Sequence, residues 1–130
     1  MTPERMRVKI AEACGWTGIE SYYPSYDGPP KMDWRGIGNT NEHRKHLIFE
    51  PLPNYPGDLN ACHEMANYLR NANRGQYLQY GKMLENLVAI YNSLPEREAY
   101  HGILVCDAPP EMRCEAFLRT LGLWEEGVQT

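Results

Sequence analysis

Asp58-Leu-Asn-Ala-Cys-His-Glu-Met-Ala-Asn-Tyr-Leu-Arg70 is the stretch whose reading decides the fold of this chain. Wound as an α-helix at about 100° per residue, it gathers Leu59, Ala61, Cys62, Met65, Ala66, Tyr68, Leu69 and Ala72 on one half of the cylinder. Asn60, His63, Glu64, Asn67, Arg70 and Asn71 take the other half. A helix divided this cleanly lies on something apolar, with its polar half in water or against a polar partner. Pro56-Gly57-Asp58 supplies the start, with Asp58 as the N-cap.

C-terminal to it, Ala72-Asn-Arg-Gly75 marks a break, and helical spacing resumes from about Gln76 to Leu94. The apolar stripe there is Tyr77, Tyr80, Met83, Leu84, Leu87, Val88, Ile90, Tyr91 and Leu94, interrupted by an outward Leu78 and ended by Pro95. The apolar run His101 to Cys106, between a helix end and Asp-Ala-Pro-Pro, predicts a buried strand. Pro109 and Pro110 then open a last helix through Met112, Cys114, Phe117, Leu118 and Leu121, stopped by Gly122.

N-terminal to it, Thr2-Pro3-Glu4 opens a first helix that Gly15 closes. Ile19 to Tyr26 reads as a short strand or extended segment, followed by turn chemistry at Asp27-Gly-Pro-Pro30. Trp34 to His46 is polar and glycine-bearing, and reads as a loop; Leu47-Ile-Phe49 reads as a short strand ended by Pro51 and Pro53. The sum is one α+β domain over 1–130: a three-layer α/β/α sandwich with a small sheet of two to four short strands covered by about four helices.

The 130 residues suffice for a core without staples, and a net charge of −4 argues against extended nucleic acid as a partner. Cys14, Cys62, Cys106 and Cys114 show no CxxC spacing and read as reduced, small hydrophobes rather than disulfide or metal ligands. Glu4, Arg5, Arg7 and Lys9 are followed by no apolar run, and no stretch approaches membrane-spanning length. A cytoplasmic protein without a membrane partner is the expectation.

Three segments carry a family likeness. Ile10-Ala-Glu-Ala-Cys-Gly-Trp16, Leu52-Pro-Asn-Tyr-Pro-Gly-Asp-Leu-Asn-Ala-Cys-His-Glu64 and Arg113-Cys-Glu-Ala-Phe-Leu-Arg-Thr-Leu-Gly-Leu-Trp-Glu125 together resemble the small phage and prophage proteins grouped as the phage ABA sandwich domain. Trp34-Arg35 stands where such proteins often carry a tryptophan, while the rest of the 31–46 segment departs from their pattern. The resemblance implies an α/β/α sandwich and a phage origin, in an infected or lysogenic host. It brings no catalytic residues.

The densest cationic patch is Arg44-Lys45-His46, with Arg35 and Lys31 near in sequence. Tyr22, Tyr23, Tyr26 and Trp34 share the neighbourhood, and aromatics beside cations can stack a base while neutralising a phosphate. The ordinary reading of the same residues is a solvated loop guarding a strand edge, with core or interface aromatics. His43 and His46 lack the third and fourth ligands of a zinc site, Cys62 and His63 diverge by about 100° on their helix, and Glu96, Glu98, Glu125 and Glu126 sit at ends and turns.

The functional expectation is a non-enzymatic phage accessory protein, without cofactor, that binds an anionic nucleotide-type ligand through Tyr22, Tyr23, Tyr26, Trp34, Arg35, Arg44, Lys45 and His46. Its sharpest form is sequestration of a host nucleotide immune signal. The alternative is a structural or self-assembling homo-oligomeric module whose aromatic surfaces contact other copies.

Overall fold

The structure is a computed structural model that describes residues 1–24, 28 and 31–126, without the side chains of residues 99 and 100. Its elements follow in the order α1 (Pro3–Ala13), β1 (Thr17–Tyr22), β2 (Asp33–Ile37), α2 (Asn41–His46), β3 (Phe49–Pro51), α3 (Leu59–Ala72), α4 (Arg74–Ser93) and α5 (Pro110–Thr120). The strands form an antiparallel sheet in the order β1-β2-β3. The class is α+β, a small sheet covered by helices, as the patterning predicts.

The helices start where their capping chemistry says they should. Thr2 Oγ1 accepts the Arg5 amide at 3.2 Å, Asp58 Oδ1 the Asn60 amide at 2.9 Å and Asn73 Oδ1 the Gln76 amide at 3.0 Å. Helix α3 buries Ala61, Cys62, Met65 and Leu69, and α4 buries Tyr80, Leu84, Leu87 and Val88, so both lie on the apolar faces read from sequence. Leu59 and Ala72, counted on the apolar half of α3, and Ile90, counted in the α4 stripe, are exposed instead.

Helix α5 is the hub, packing on α1, α3 and α4. It buries Met112, Cys114, Ala116, Phe117 and Leu118, and the Phe117 ring meets Tyr80 edge to face with centroids 6.4 Å apart. Its Glu115 is 7% exposed, a burial made tolerable by a bond from the Tyr91 hydroxyl and an ion pair with Arg119 Nε at 2.7 Å. Burial, then that carboxylate, push the Tyr91 phenol up to about 12.

The sheet joins this bundle through its inner face, where Ile19, Trp34, Gly36 and Leu52 pack toward the core. Arg7 on α1 fastens it, with Nη1 2.6 Å from Asp33 Oδ1 and Nε 3.1 Å from the Leu52 carbonyl. Glu20, Tyr22, Arg35 and Phe49 lie on the outer face, Phe49 being 42% exposed. No helix among the described residues is long and apolar enough to cross a membrane.

Three expectations are corrected. Residues 34 to 46 hold the central strand β2 and the helix α2, not a loop, and the strand read at Leu47-Ile-Phe49 starts only at Phe49 because Leu47 turns left-handed (φ 51°) to cap α2. His101 to Cys106 is not a strand: it carries a turn and enters a short 3-10 turn, Val105–Asp107. Its backbone is held by side chains instead, the Asn92 amide bonding the Ile103 carbonyl at 3.3 Å and Arg113 Nη2 the Cys106 carbonyl at 3.0 Å. Cys106 is therefore exposed, while Cys14, Cys62 and Cys114 are buried.

Candidate functional site

Between the polar half of α3 and the α2–β3 corner lies a cleft of about 420 Å³, a size suited to a small organic ligand. Glu64, Asn67 and Tyr68 come from α3 at the i, i+3, i+4 spacing that aligns side chains on one helix face. Thr40, His43 and Glu50 form the opposite wall, and Trp16 and Tyr55 contribute aromatic surface.

Two glycines make this arrangement possible. A β-carbon on Gly38 would stand 2.6 Å from the His43 ring, so the imidazole occupies the space a side chain would fill. Gly15 turns with φ +88°, and a β-carbon there would stand 2.9 Å from Arg44 Nη2 and 3.0 Å from Tyr68 Oη. The guanidinium of Arg44 thus stands next to Gly15 and Tyr68, beside the cleft and not among the residues that line it.

The polar groups fall into two kinds. Some are committed: Asn39 Nδ2 donates to the Cys14 carbonyl at 2.8 Å, His43 Nε2 lies 2.8 Å from Glu50 Oε1, and the Tyr55 hydroxyl meets the Cys14 and Trp16 side chains. Burial pushes the Cys14 thiol up to about 12, which keeps this floor protonated and neutral. Others are uncommitted: among the described residues the side chains of Glu64, Asn67 and Arg44 have no hydrogen bond or ion pair.

Thr40, His43 and Glu50 form a hydroxyl–imidazole–carboxylate chain, since Thr40 Oγ1 contacts His43 Nδ1. A hydroxyl in such a chain can be activated as a nucleophile. Thr40 Oγ1 is, however, also the N-cap of α2, accepting the His43 amide at 3.1 Å. The chain therefore has a sufficient structural task in fixing α2 and the His43 ring.

The eight residues singled out from sequence do not form one cluster. Arg35 and Tyr22 meet on the outer sheet face, the guanidinium carbon 4.9 Å from the ring centroid and Arg35 Nε 2.8 Å from Glu20 Oε1. Trp34 packs against the core from the inner face, its indole N–H buried without a partner among the described residues. Tyr23 is exposed at the end of β1, Lys45 is exposed on α2, and His46 pairs with Glu42 at 3.4 Å. Arg44 alone among the eight is seen beside the cleft, and Tyr26 lies outside the described residues. Glu64 and Asn67 were in plain view on the polar half of α3, but helical spacing alone does not tell a solvated face from a cleft wall.

A larger hollow of about 570 Å³ lies between α4 and the end of α5, bordered by Leu87, Ile90, Glu115, Arg119 and Trp124. Its charges neutralise one another, Arg119 being held by Glu115 and by Glu126 at 2.8 Å. That hollow offers a ligand fewer unmet groups than the α2–α3 cleft.

No family model matches the chain, and searches of curated proteins and of solved structures return no match.

Proposed function

We propose that this protein binds a small nucleotide-type ligand in the α2–α3 cleft and acts by holding it rather than transforming it. The observation that carries the reading is that, among the described residues, Glu64 and Asn67 in the lining and Arg44 beside it have no hydrogen bond or ion pair, at a cleft with aromatic walls. Unmet hydrogen-bonding groups supply specificity, aromatic rings supply a stacking surface, and an unpaired guanidinium supplies a phosphate contact. In the phage setting that the sequence resemblance implies, the ligand is a host signalling nucleotide and the consequence is its sequestration.

Calorimetry against a panel of mononucleotides and cyclic nucleotides tests this, on wild type and two arginine variants. Arg44→Ala should lower affinity about 10-fold to 150-fold, less at high salt. Arg35→Ala should leave affinity unchanged, because Arg35 sits on the outer sheet face, paired with Glu20. Equal losses from both would move the site to the sheet; no binding by any nucleotide would end the reading.

A second reading has its own support. Tyr23, Leu47, Ile48 and Phe49 are exposed, Leu47 to 67%, and three of them are consecutive at the β3 edge of the sheet. A strand edge flanked by apolar side chains can pair with another copy, and sedimentation equilibrium across a concentration series would reveal that assembly.

A further inference from the structure

Among the described residues the cleft wall carries an uncommitted carboxylate, Glu64. Asn39 spends one amide hydrogen on the Cys14 carbonyl, which leaves its second amide hydrogen and its own carbonyl oxygen. His43 engages one oxygen of Glu50, which leaves the other, and Glu64 keeps both carboxylate oxygens. The other donors set against them are the Asn67 amide, the Tyr68 hydroxyl and, beside the lining, the Arg44 guanidinium. The lining carries two carboxylates, Glu64 and Glu50, whereas Arg44 stands beside the lining and not in it. A ligand that excludes water from Glu64 must return donors to it, because a carboxylate stripped of water without donors costs more than the contact gains.

Two oxygens of one carboxylate are met best by two N–H groups side by side on a planar edge. Among the common bases guanine has that edge, its ring N–H adjacent to its exocyclic amine. Adenine and cytosine set an amine beside a bare ring nitrogen, which would turn lone pair to lone pair against Glu64. Uracil offers one N–H between two carbonyls. Building on the nucleotide reading above, we infer that the ligand carries a guanine-type base. Its donor edge lies on Glu64, its ring faces the aromatic wall of Trp16 and Tyr68, and its phosphate is turned out to Arg44.

The test is calorimetry with GMP, IMP, which lacks the exocyclic amine, AMP, and agmatine as a cationic donor without a base, on wild type and Glu64→Gln. Glu64 is exposed on α3, so the variant should keep the wild-type unfolding midpoint. The expected result is GMP binding at least about 10-fold tighter than IMP or AMP, with Glu64→Gln lowering GMP affinity about 10-fold to 100-fold and erasing the preference. AMP binding as tightly as GMP, or a preference unchanged in Glu64→Gln, would overturn the guanine assignment and leave the nucleotide reading standing. Agmatine binding in the absence of any nucleotide binding would overturn both, as would no binding at all.

Discussion

Single positions decide whether the cleft keeps its shape. Gly38→Ala should displace the His43 ring, since even a methyl would lie 2.6 Å from it, and should destabilise the fold by about 1–3 kcal/mol in urea denaturation. Loss of ligand binding should accompany it, because His43 and Glu50 together form one wall. Asp33 gives a second residue-level outcome. Burial works against its charge, but the Trp34 amide and Arg7 outweigh burial and hold its carboxyl below the ordinary 3.8. A depressed folded-state pKa stabilises the protein above the unfolded-state value and ceases to do so as pH falls through the folded-state value. Wild type should therefore lose stability relative to Asp33→Asn as pH falls below about 4, with the two curves parallel at neutral pH. Denaturation midpoints at a series of pH values check this; parallel curves throughout would show that Arg7 does not favour the charged form. These residues also show the limit of reading a site from sequence. Arg44 was visible because it is charged, whereas its place beside Tyr68 depends on the turn at Gly15, and nothing within residues 35 to 46 reveals that.

At the scale of elements, legibility followed length. Helices α3 and α4 span 14 and 20 residues, enough turns for an apolar stripe to declare itself, and their buried faces lie where the spacing put them. Leu69→Ala should thus cost about 2–5 kcal/mol in chemical denaturation, and His63→Ala, on the polar half, less than about 0.5 kcal/mol. Equal losses would mean the helix is rotated. Helix α2 has 6 residues and β2 has 5, too few for periodicity to be measured. Their signals were local: Thr40 three residues before His43, Glu42 in the first turn, cations in the last, and inward Trp34 and Gly36 alternating with outward Arg35. The run from His101 to Cys106 misled for the opposite reason. A short apolar stretch fits a buried strand as a pattern, yet a strand also needs a partner with free backbone groups. Here Asn92 and Arg113 take those groups first.

At the scale of the molecule, the cysteines report whether the chain opens as one unit. Cys14 caps α1, Cys62 lies in α3 and Cys114 in α5, and all three are buried, while Cys106 is exposed beyond α4. The thiolate is the reactive species, so burial protects a thiol by excluding the reagent and, where it also raises the pKa, by suppressing ionisation. Burial raises Cys14 to about 12, and Cys114 is raised by its hydrogen bond with Cys62 and by burial, while that bond lowers Cys62, which exclusion alone protects. In native buffer a thiol reagent should therefore label the exposed Cys106 first. The other three should wait for unfolding, slowed roughly 10³-fold or more in a domain of ordinary stability. Because α5 packs on α1 and α3 alike, opening any one of the three sites disrupts contacts with the others. Mass spectrometry over time should accordingly show singly and fully labelled protein with little between. A chain labelled at Cys14 well before Cys62 and Cys114 would mean that the α1 and sheet side opens apart from α3 and α5, and that the cleft between β3 and α3 lies across two separately stable parts.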